Sequence, residues 1–194
     1  VHALGNVAVF DTESRIPGDK FAYALNQRLP ADIVIQNSAE VSVDFHPRHQ
    51  NCRKTYEYAI LNRKFPLPEY RNTAYFYYGF LDVPKMQQAA QAFVGEHDFA
   101  AFCSAGAQVQ TTVRTIYSLD VVSDGEQIRI RVQGNGFLYN MVRIIAGTLL
   151  EVGKGRVEVS QISDIITSRD RGQAGPTAPA QGLKLIEICY ENQC

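Results

Sequence analysis

The sequence predicts an α+β fold in which a mainly antiparallel sheet carries helices packed on one side. Two alternating stretches, residues 113–122 and 127–133, are connected by Ser123-Asp124-Gly125, whose Asp-Gly pair favours a hairpin turn. An apolar segment with helical spacing follows directly over residues 136–153. Strands paired by hairpins, with helices to cover one face of the sheet, are typical of this fold class.

The first part of the chain, residues 1–43, is predicted to be the β-α-β remnant of an N-terminal domain. Residues 1–10 have the pattern of a strand and begin without Met, so we expect the chain to be a fragment of a longer one. Gly18-Asp19 begins a short helix that Pro30 ends, and residues 32–35 form a second strand.

Residues 44–194 are predicted to form a C-terminal α+β domain with an RNA-binding cleft. A run over residues 45–54 has five potentially basic side chains and no acid. It leads into a strand over residues 54–61 in which Tyr56 and Tyr58 share one face. Positive charge beside aromatic rings is typical of sites that hold an unstacked base. The alternative interpretation of the basic run is a solvated loop.

Further elements complete the predicted domain. One helix begins near Pro84 and is closed by Gly95, and Ser160 caps another. Residues 73–78 form a strand or a loop packed on the sheet, and residues 183–190 form a last strand. The apolar residues expected to face the core in these two helices are Met86, Ala89, Ala90, Phe93, Ile162, Ile165 and Ile166.

Composition limits the function classes. The chain has 194 residues, 45% of them hydrophobic, and a net charge of −1, which argues against a protein that coats nucleic acid indiscriminately but allows a local basic groove. No apolar run is long enough to cross a bilayer, so we expect no membrane contact. The four cysteines have no C-x-x-C spacing, so we expect neither a disulfide framework nor a metal site, and a cytoplasmic location.

Arg143 is a charged residue within the apolar helix, and its position there requires an explanation. It lies at the border of the apolar arc, one turn from Tyr139, so its guanidinium should be partly desolvated and should bind a carboxylate or phosphate. The alternative is an arginine whose stem packs on the helix while its head reaches water. The apolar face itself is predicted to comprise Leu138, Met141, Val142, Ile145, Ala146, Leu149 and Leu150.

Several segments together resemble the tRNA pseudouridine synthase A family, in order and from the first residue to about Tyr190. Their sequences are Val-His-Ala-Leu-Gly-Asn-Val-Ala-Val-Phe at residues 1–10, Phe-His-Pro-Arg at 45–48, Lys-Thr-Tyr-Glu-Tyr at 54–58, His-Asp-Phe at 97–99, Thr-Val-Arg-Thr-Ile at 112–116, Gly-Phe-Leu-Tyr-Asn-Met-Val-Arg at 136–143 and Ala-Pro-Ala-Gln-Gly-Leu at 178–183. The segment that ends at Arg143 is the most specific of them.

The resemblance implies the pseudouridine synthase fold and an enzyme that isomerises uridine to pseudouridine in the tRNA anticodon arm, at positions 38 to 40. It also implies a homodimer without cofactor or metal. In the family pattern Gly-Arg-Thr-Asp-x-Gly-Val-His-Ala the catalytic aspartate would lie three residues before Val1. We therefore expect the nucleophilic Asp upstream of this chain and expect the chain as it stands to be inactive. The alternative function is a catalytically silent RNA-binding or tRNA-folding module.

The resemblance also assigns roles to individual residues. Arg143 would pair with the catalytic aspartate, and Tyr56 would stack on the flipped uracil and assist proton movement. Arg114 and His2 would contact the substrate. The residues expected to meet RNA phosphates are His46, Arg48, Arg53 and Lys54.

Each of these roles has a structural alternative. Tyr56 could be a core tyrosine of the sheet, which is our interpretation of Tyr58. Arg114 could form a cross-strand ion pair at the surface, and His2 could be structural. His97-Asp98 is interpreted as a turn device without a catalytic role.

Overall fold

The computed structural model describes residues 2–47, 50–106 and 109–190. The chain divides into two compact units. The larger one, called the sheet unit here, comprises Val1–Asn6 and Asn51–Cys194, and the smaller one, the 7–50 unit, comprises Val7–Gln50. The sheet unit thus includes the first residues of the chain as well as most of the predicted C-terminal domain.

The 7–50 unit has little regular structure. A 3₁₀ turn at Gly18–Lys20 leads into α1 (Phe21–Asn26), and no strand occurs among its described residues. The prediction of a strand over 32–35 is therefore wrong. The Ile35 N–H donates to Asn26 Oδ1 (2.8 Å) and its carbonyl accepts from Asn26 Nδ2 (2.9 Å), so a side-chain amide takes the place of a neighbouring strand.

The sheet unit is built on a sheet to which the described residues contribute seven strands. The strand order is β1-β7-β2-β6-β5-β4, and β3 runs parallel to the end of β2. The pairings β2–β6, β2–β7, β4–β5 and β5–β6 are antiparallel, which confirms the predicted, mainly antiparallel sheet. The strands are β1 (His2–Ala3), β2 (Cys52–Asn62), β3 (Tyr75–Tyr77), β4 (Gly95–Asp98), β5 (Val113–Asp124), β6 (Gln127–Gly134) and β7 (Leu183–Tyr190).

The strand predicted over residues 1–10 is much shorter in the structure. Only β1 pairs, in parallel with β7, and the Leu4 N–H adds one bond to the Leu185 carbonyl (2.8 Å). No strand partner continues the pairing beyond this point within the described chain. An alternating pattern needs a hydrogen-bonding neighbour to become a strand, and the sequence does not show that neighbour.

Three helices pack against one face of the sheet and form a core with it. They are α2 (Val83–Ala90), α3 (Met141–Gly153) and α4 (Gln161–Ser168). Alternating residues of the central strands, such as Tyr58 in β2 and Ile130 in β6, point to this core and are almost fully buried. All apolar residues that the sequence predicted for the core faces of these helices are buried.

Three details of the helices differ from the prediction. The helix predicted to be closed by Gly95 ends at Ala90, and Gly95 is instead the first residue of β4. The helix predicted within residues 136–153 begins only at Met141, because Asn140 has a left-handed backbone (φ 60°) that no helix can include. Leu138 is nevertheless buried, in the preceding loop. Ser160 occupies the N-cap position of α4 as predicted, but its side chain makes no cap hydrogen bond; instead Gln161 Oε1 accepts from the Glu158 N–H (2.8 Å).

The state of the cysteines differs in part from the prediction, because one of them is disulfide-bonded. Cys52 and Cys103 are free thiols, whereas Cys189 is disulfide-bonded, which the cysteine spacing did not predict. In residues 2–47, 50–106 and 109–190 no group of His, Cys, Asp or Glu side chains has the arrangement of a metal site. None of the helices described is long and apolar enough to traverse a bilayer.

Candidate active site

Arg143 lies in the first turn of α3 and is half-buried. Its Nε donates to the Ala178 carbonyl oxygen (2.7 Å) and its Nη1 donates to Asn140 Oδ1 (3.0 Å). Two bonds from different atoms of a planar guanidinium fix its plane as well as its position. Nη2 has no hydrogen-bond partner in the described part of the chain, so this edge can bind a carboxylate or a phosphate.

The segment 175–179, which includes the Ala178 carbonyl oxygen bonded to Arg143, packs directly on α3. Gly147 allows this contact, because a Cβ at that position would overlap the Pro176 carbonyl oxygen. Thr148, which is fully buried, accepts the Gly175 N–H at Oγ1 (2.9 Å). The Ala178 N–H then donates to the Arg143 carbonyl oxygen (3.0 Å). Both the backbone and the side chain of Arg143 are therefore hydrogen-bonded to Ala178.

Tyr58 holds the other side of this segment. Its ring is fully buried and its hydroxyl donates to the Pro179 carbonyl oxygen (2.8 Å). Burial raises the pKa of Tyr58 far above its usual value; Tyr75 adds to this effect and the positive charge of Arg143 opposes it. The interpretation of Tyr58 as a core tyrosine is confirmed.

Tyr56 lies on the same face of β2, two residues before Tyr58. It is half-buried, and its ring makes an edge-to-face contact with Phe137 (5.2 Å between centroids, 83° between planes). Burial raises its pKa, so the phenol stays neutral at physiological pH. Unlike Tyr58, the ring is only partly covered by the protein and keeps surface for a ligand.

Arg114 lies in β5, opposite His97 of β4. Its Nη1 donates to the carbonyl oxygens of Thr111 (2.9 Å) and Val113 (2.6 Å). The stem of the side chain passes Gly136, where a Cβ would lie 3.6 Å from Arg114 Cδ and Nε. Within the described residues Arg114 forms no ion pair, and its cross-strand neighbour is not an acid, so the alternative of a cross-strand ion pair is not what the structure contains.

One loop connects these three side chains. Residues 135–140 run from β6 to α3, and the loop passes Arg114 at Gly136 and contacts Tyr56 at Phe137 and Arg143 at Asn140. Asn140 also donates from Nδ2 to Ser104 Oγ (3.0 Å). Tyr56, Arg114 and Arg143, which are far apart in the sequence, therefore border the same six-residue loop.

The remaining basic candidates belong to different parts of the chain. Lys54 shares the face of Tyr56 on β2, whereas Arg53 points to the other face, where it is exposed and lies over the Tyr117 ring (5.1 Å). His2 is exposed in β1, and its Nε2 contacts the Asn72 carbonyl oxygen. His46 belongs to the 7–50 unit. Arg48 lies outside the described residues.

Asp98 has a structural environment that accounts for the His97-Asp98 pair. Its carboxylate accepts from the Ala100 N–H (3.1 Å) and from Thr112 Oγ1, and it pairs with Arg169 (3.0 Å). A carboxylate that bonds the backbone two residues later is a typical turn device. The interpretation of Asp98 without a catalytic role agrees with these contacts.

Sequence reasoning missed Phe137, Asn140 and the carbonyl groups of Ala178 and Pro179. The carbonyl oxygens carry no sequence signal, and Phe137 was counted with the apolar helix. Asn140 had a usable signal, because an asparagine directly before a helix often has a special backbone conformation.

The α+β fold with its mainly antiparallel sheet is consistent with a pseudouridine synthase. A family model described as tRNA pseudouridine synthase matches residues 89–191. The chain is 53% identical over 191 residues to tRNA pseudouridine synthase A of Ruminiclostridium cellulolyticum and 50% identical over 190 residues to that of Acetivibrio thermocellus. Each comparison covers 98% of this chain and 78% of the relative. The chain belongs to the tRNA pseudouridine synthase A family.

Proposed function

We propose that this chain provides the uridine-binding site of an enzyme that converts uridine to pseudouridine in the anticodon stem-loop of tRNA, at positions 38 to 40. The observation that carries the proposal is the Arg143 guanidinium, which Ala178 and Asn140 fix while its Nη2 has no hydrogen-bond partner among the described residues. The loop that supplies Asn140 also borders Tyr56 and Arg114.

The chemistry assigns complementary tasks to Arg143 and Tyr56. The reaction breaks the bond from the ribose to uracil N1, turns the base and forms a bond from the same ribose carbon to C5. C5 gives up its hydrogen as a proton and N1 gains a proton, so the reaction balances. Arg143 holds and stabilises the carboxylate that performs the covalent or acid-base step, which the family pattern puts before Val1. Tyr56 stacks on the flipped base, and its neutral hydroxyl can exchange a proton with it. The isomerisation is redox-neutral and adds no atoms, so it consumes neither a redox partner nor a co-substrate.

RNA contacts outside this site come from basic side chains. Lys54 is suited to a phosphate beside the base, because it shares the face of Tyr56. Arg53 is exposed on the opposite face and suits a more distant phosphate. Arg114 and His2 are assigned to the substrate, and His46 and Arg48 to phosphates, on the resemblance alone.

The experiment measures tritium released from uracil C5 of a labelled tRNA, using the protein in its native length. Arg143→Lys should lower the rate at least about 100-fold, because lysine cannot make both guanidinium bonds. Tyr56→Phe should also lower it by about 100-fold or more while keeping most RNA affinity, since only the hydroxyl is lost. Tyr117→Phe, which removes a hydroxyl from a ring on an exposed part of β5, is the matched control and should act like the unaltered protein. Mapping of pseudouridine by mass spectrometry then tests positions 38 to 40.

A catalytically silent RNA-binding or tRNA-folding module is the alternative outcome. In that case the protein of native length binds the anticodon arm but releases no tritium.

We also propose that the protein acts as a homodimer in the cytoplasm, where its tRNA substrate is processed. Light scattering after size-exclusion chromatography tests the dimer, and a mass of one chain at micromolar concentration contradicts it.

A further inference from the structure

We propose that Asn140 is a positioning residue that sets the plane of the Arg143 guanidinium without reducing its charge. The reaction that this placement serves rests on the proposed function, but the placement itself does not. The proposal depends on the unusual backbone of Asn140 and on the two side chains that its amide connects, Ser104 and Arg143.

Asn140 occupies the cap position of α3 but does not act as a cap. An asparagine at a helix N-cap usually accepts the backbone N–H of the second or third helical residue. The Asn140 side chain makes no such bond, and its backbone is left-handed (φ 60°, ψ 7°). Its Oδ1 accepts instead from the side chain of the third helical residue, Arg143 (3.0 Å). The Asn140 amide therefore binds the Arg143 guanidinium and does not stabilise the start of the helix by capping it.

The orientation of the amide is set from its other end. Asn140 Nδ2 donates to Ser104 Oγ (3.0 Å), and the Ser104 N–H donates to the Tyr139 carbonyl oxygen (3.1 Å). A guanidinium has only donors, so the amide must present its oxygen to Arg143 and its nitrogen to the serine hydroxyl. The amide is thus held at both ends, and Arg143 is held in turn by Asn140 and by Ala178.

Asparagine has both properties that this position requires, tolerance of a left-handed backbone and a neutral oxygen that accepts a hydrogen bond. Glycine accepts a left-handed backbone but has no amide, and aspartate accepts that backbone but would neutralise Arg143. A neutral amide oxygen fixes the cation and leaves its full charge for a carboxylate or phosphate at Nη2. These properties separate the expected effects of the two substitutions.

The first experiment observes Arg143 directly and does not depend on catalysis. In ¹⁵N-arginine NMR spectra of the protein of native length, hydrogen-bonded Nη groups rotate slowly and give separate signals. Arg143→Lys assigns the signals of Arg143. We expect Asn140→Gly to average its Nη signals and Ser104→Ala to broaden them. Asn62→Ala is the matched control, because it removes an amide that also makes two hydrogen bonds, to the Tyr77 and Gly79 carbonyl oxygens. It should leave the signals unchanged.

The second experiment is a double-mutant cycle on tritium release. Asn140→Gly should lower kcat about 10- to 100-fold with KM changed less than about twofold, and Asn140→Asp should lower kcat in the same range although it keeps an oxygen near Arg143. In an Arg143→Lys background, Asn140→Gly should change kcat less than about twofold, because its effect passes through the guanidinium.

The outcomes distinguish this inference from the proposed function. Unchanged Arg143 signals in folded Asn140→Gly, or an undiminished kcat loss in the Arg143→Lys background, overturn the positioning role. If Asn140→Gly does not fold, Ser104→Ala decides by the same signals, and sharp, unaltered Nη signals in that variant overturn the proposal. If the unaltered protein releases no tritium, the proposed function fails, and the NMR result still decides the role of Asn140.

Discussion

The half-buried Tyr56 phenol and the buried Tyr58 phenol should make the sheet unit sensitive to alkaline pH. Burial raises the pKa of both groups above the ordinary value of about 10. A tyrosine with a raised pKa keeps its proton in the folded state where the unfolded chain loses it. Its contribution to stability is therefore complete below about pH 10 and is lost as the pH rises further. We expect Tm to fall above pH 10, and less steeply in Tyr58→Phe.

Thermal unfolding followed by circular dichroism between pH 7 and about 11 checks this expectation. Tyr58→Phe should also cost about 1 kcal/mol at pH 7, because the hydrogen bond to the Pro179 carbonyl oxygen is lost. Equal alkaline slopes for Tyr58→Phe and the unaltered protein would contradict the argument. Tyr117→Phe serves as the control, since that ring lies at the surface.

Arg53 offers a test of phosphate contact at the level of one side chain. It is exposed, so its charge can pair with RNA only in the presence of competing salt ions. If Arg53→Ala removes one phosphate contact, it should weaken binding of the anticodon arm more at low salt than at high salt. The factor by which the substitution lowers the affinity should be about threefold smaller at 200 mM salt than at 50 mM salt. Fluorescence anisotropy measures the affinities. Arg131→Ala, an exposed arginine paired with Glu57 on the neighbouring strand, is the control, and an Arg53→Ala effect independent of salt contradicts the contact.

At the scale of elements, the contact between α3 and the segment before β7 is decisive for the site. A Cβ at Gly147 would overlap the backbone of Pro176, which cannot move without displacing Ala178 from Arg143. Gly147→Ala should therefore cost about 3 kcal/mol and also impair tritium release. Gly153→Ala is the matched control on the same helix, because its nearest obstacle is the flexible end of Met86 (2.6 Å to Sδ). Urea unfolding measures both, and equal losses of stability would contradict the role of the Pro176 contact.

The elements also show how far the sequence alone could lead. Helical spacing placed the buried face of α3 correctly, and the Asp-Gly turn placed the β5–β6 hairpin, because both signals are local. The strand over 32–35 was wrong because strand formation depends on a partner that alternation does not reveal. In the site, Arg143 was singled out by its place in the apolar helix and Tyr56 by the basic run before it, and the resemblance added Arg114 and the individual roles. The hydrogen bonds of Arg143 to Asn140 and to the Ala178 carbonyl oxygen could emerge only from tertiary contacts.

For the whole molecule, the two units should differ sharply in local stability. In the sheet unit, three helices and the central strands share a continuous buried core, whereas among the described residues of the 7–50 unit only Ala22 is a buried hydrophobic residue. Protection from amide exchange follows burial and hydrogen bonding, so amides of β2, β6 and α3 should exchange at rates near the global unfolding limit. Those of the 7–50 unit should exchange at least about 100-fold faster, because opening a region with few buried contacts costs little free energy. Hydrogen–deuterium exchange with mass spectrometry measures both, with the β5–β6 turn at Gly125 as an exposed internal reference. Protection of α1 equal to that of α3 would mean that the 7–50 unit is stabilised by contacts other than its own core.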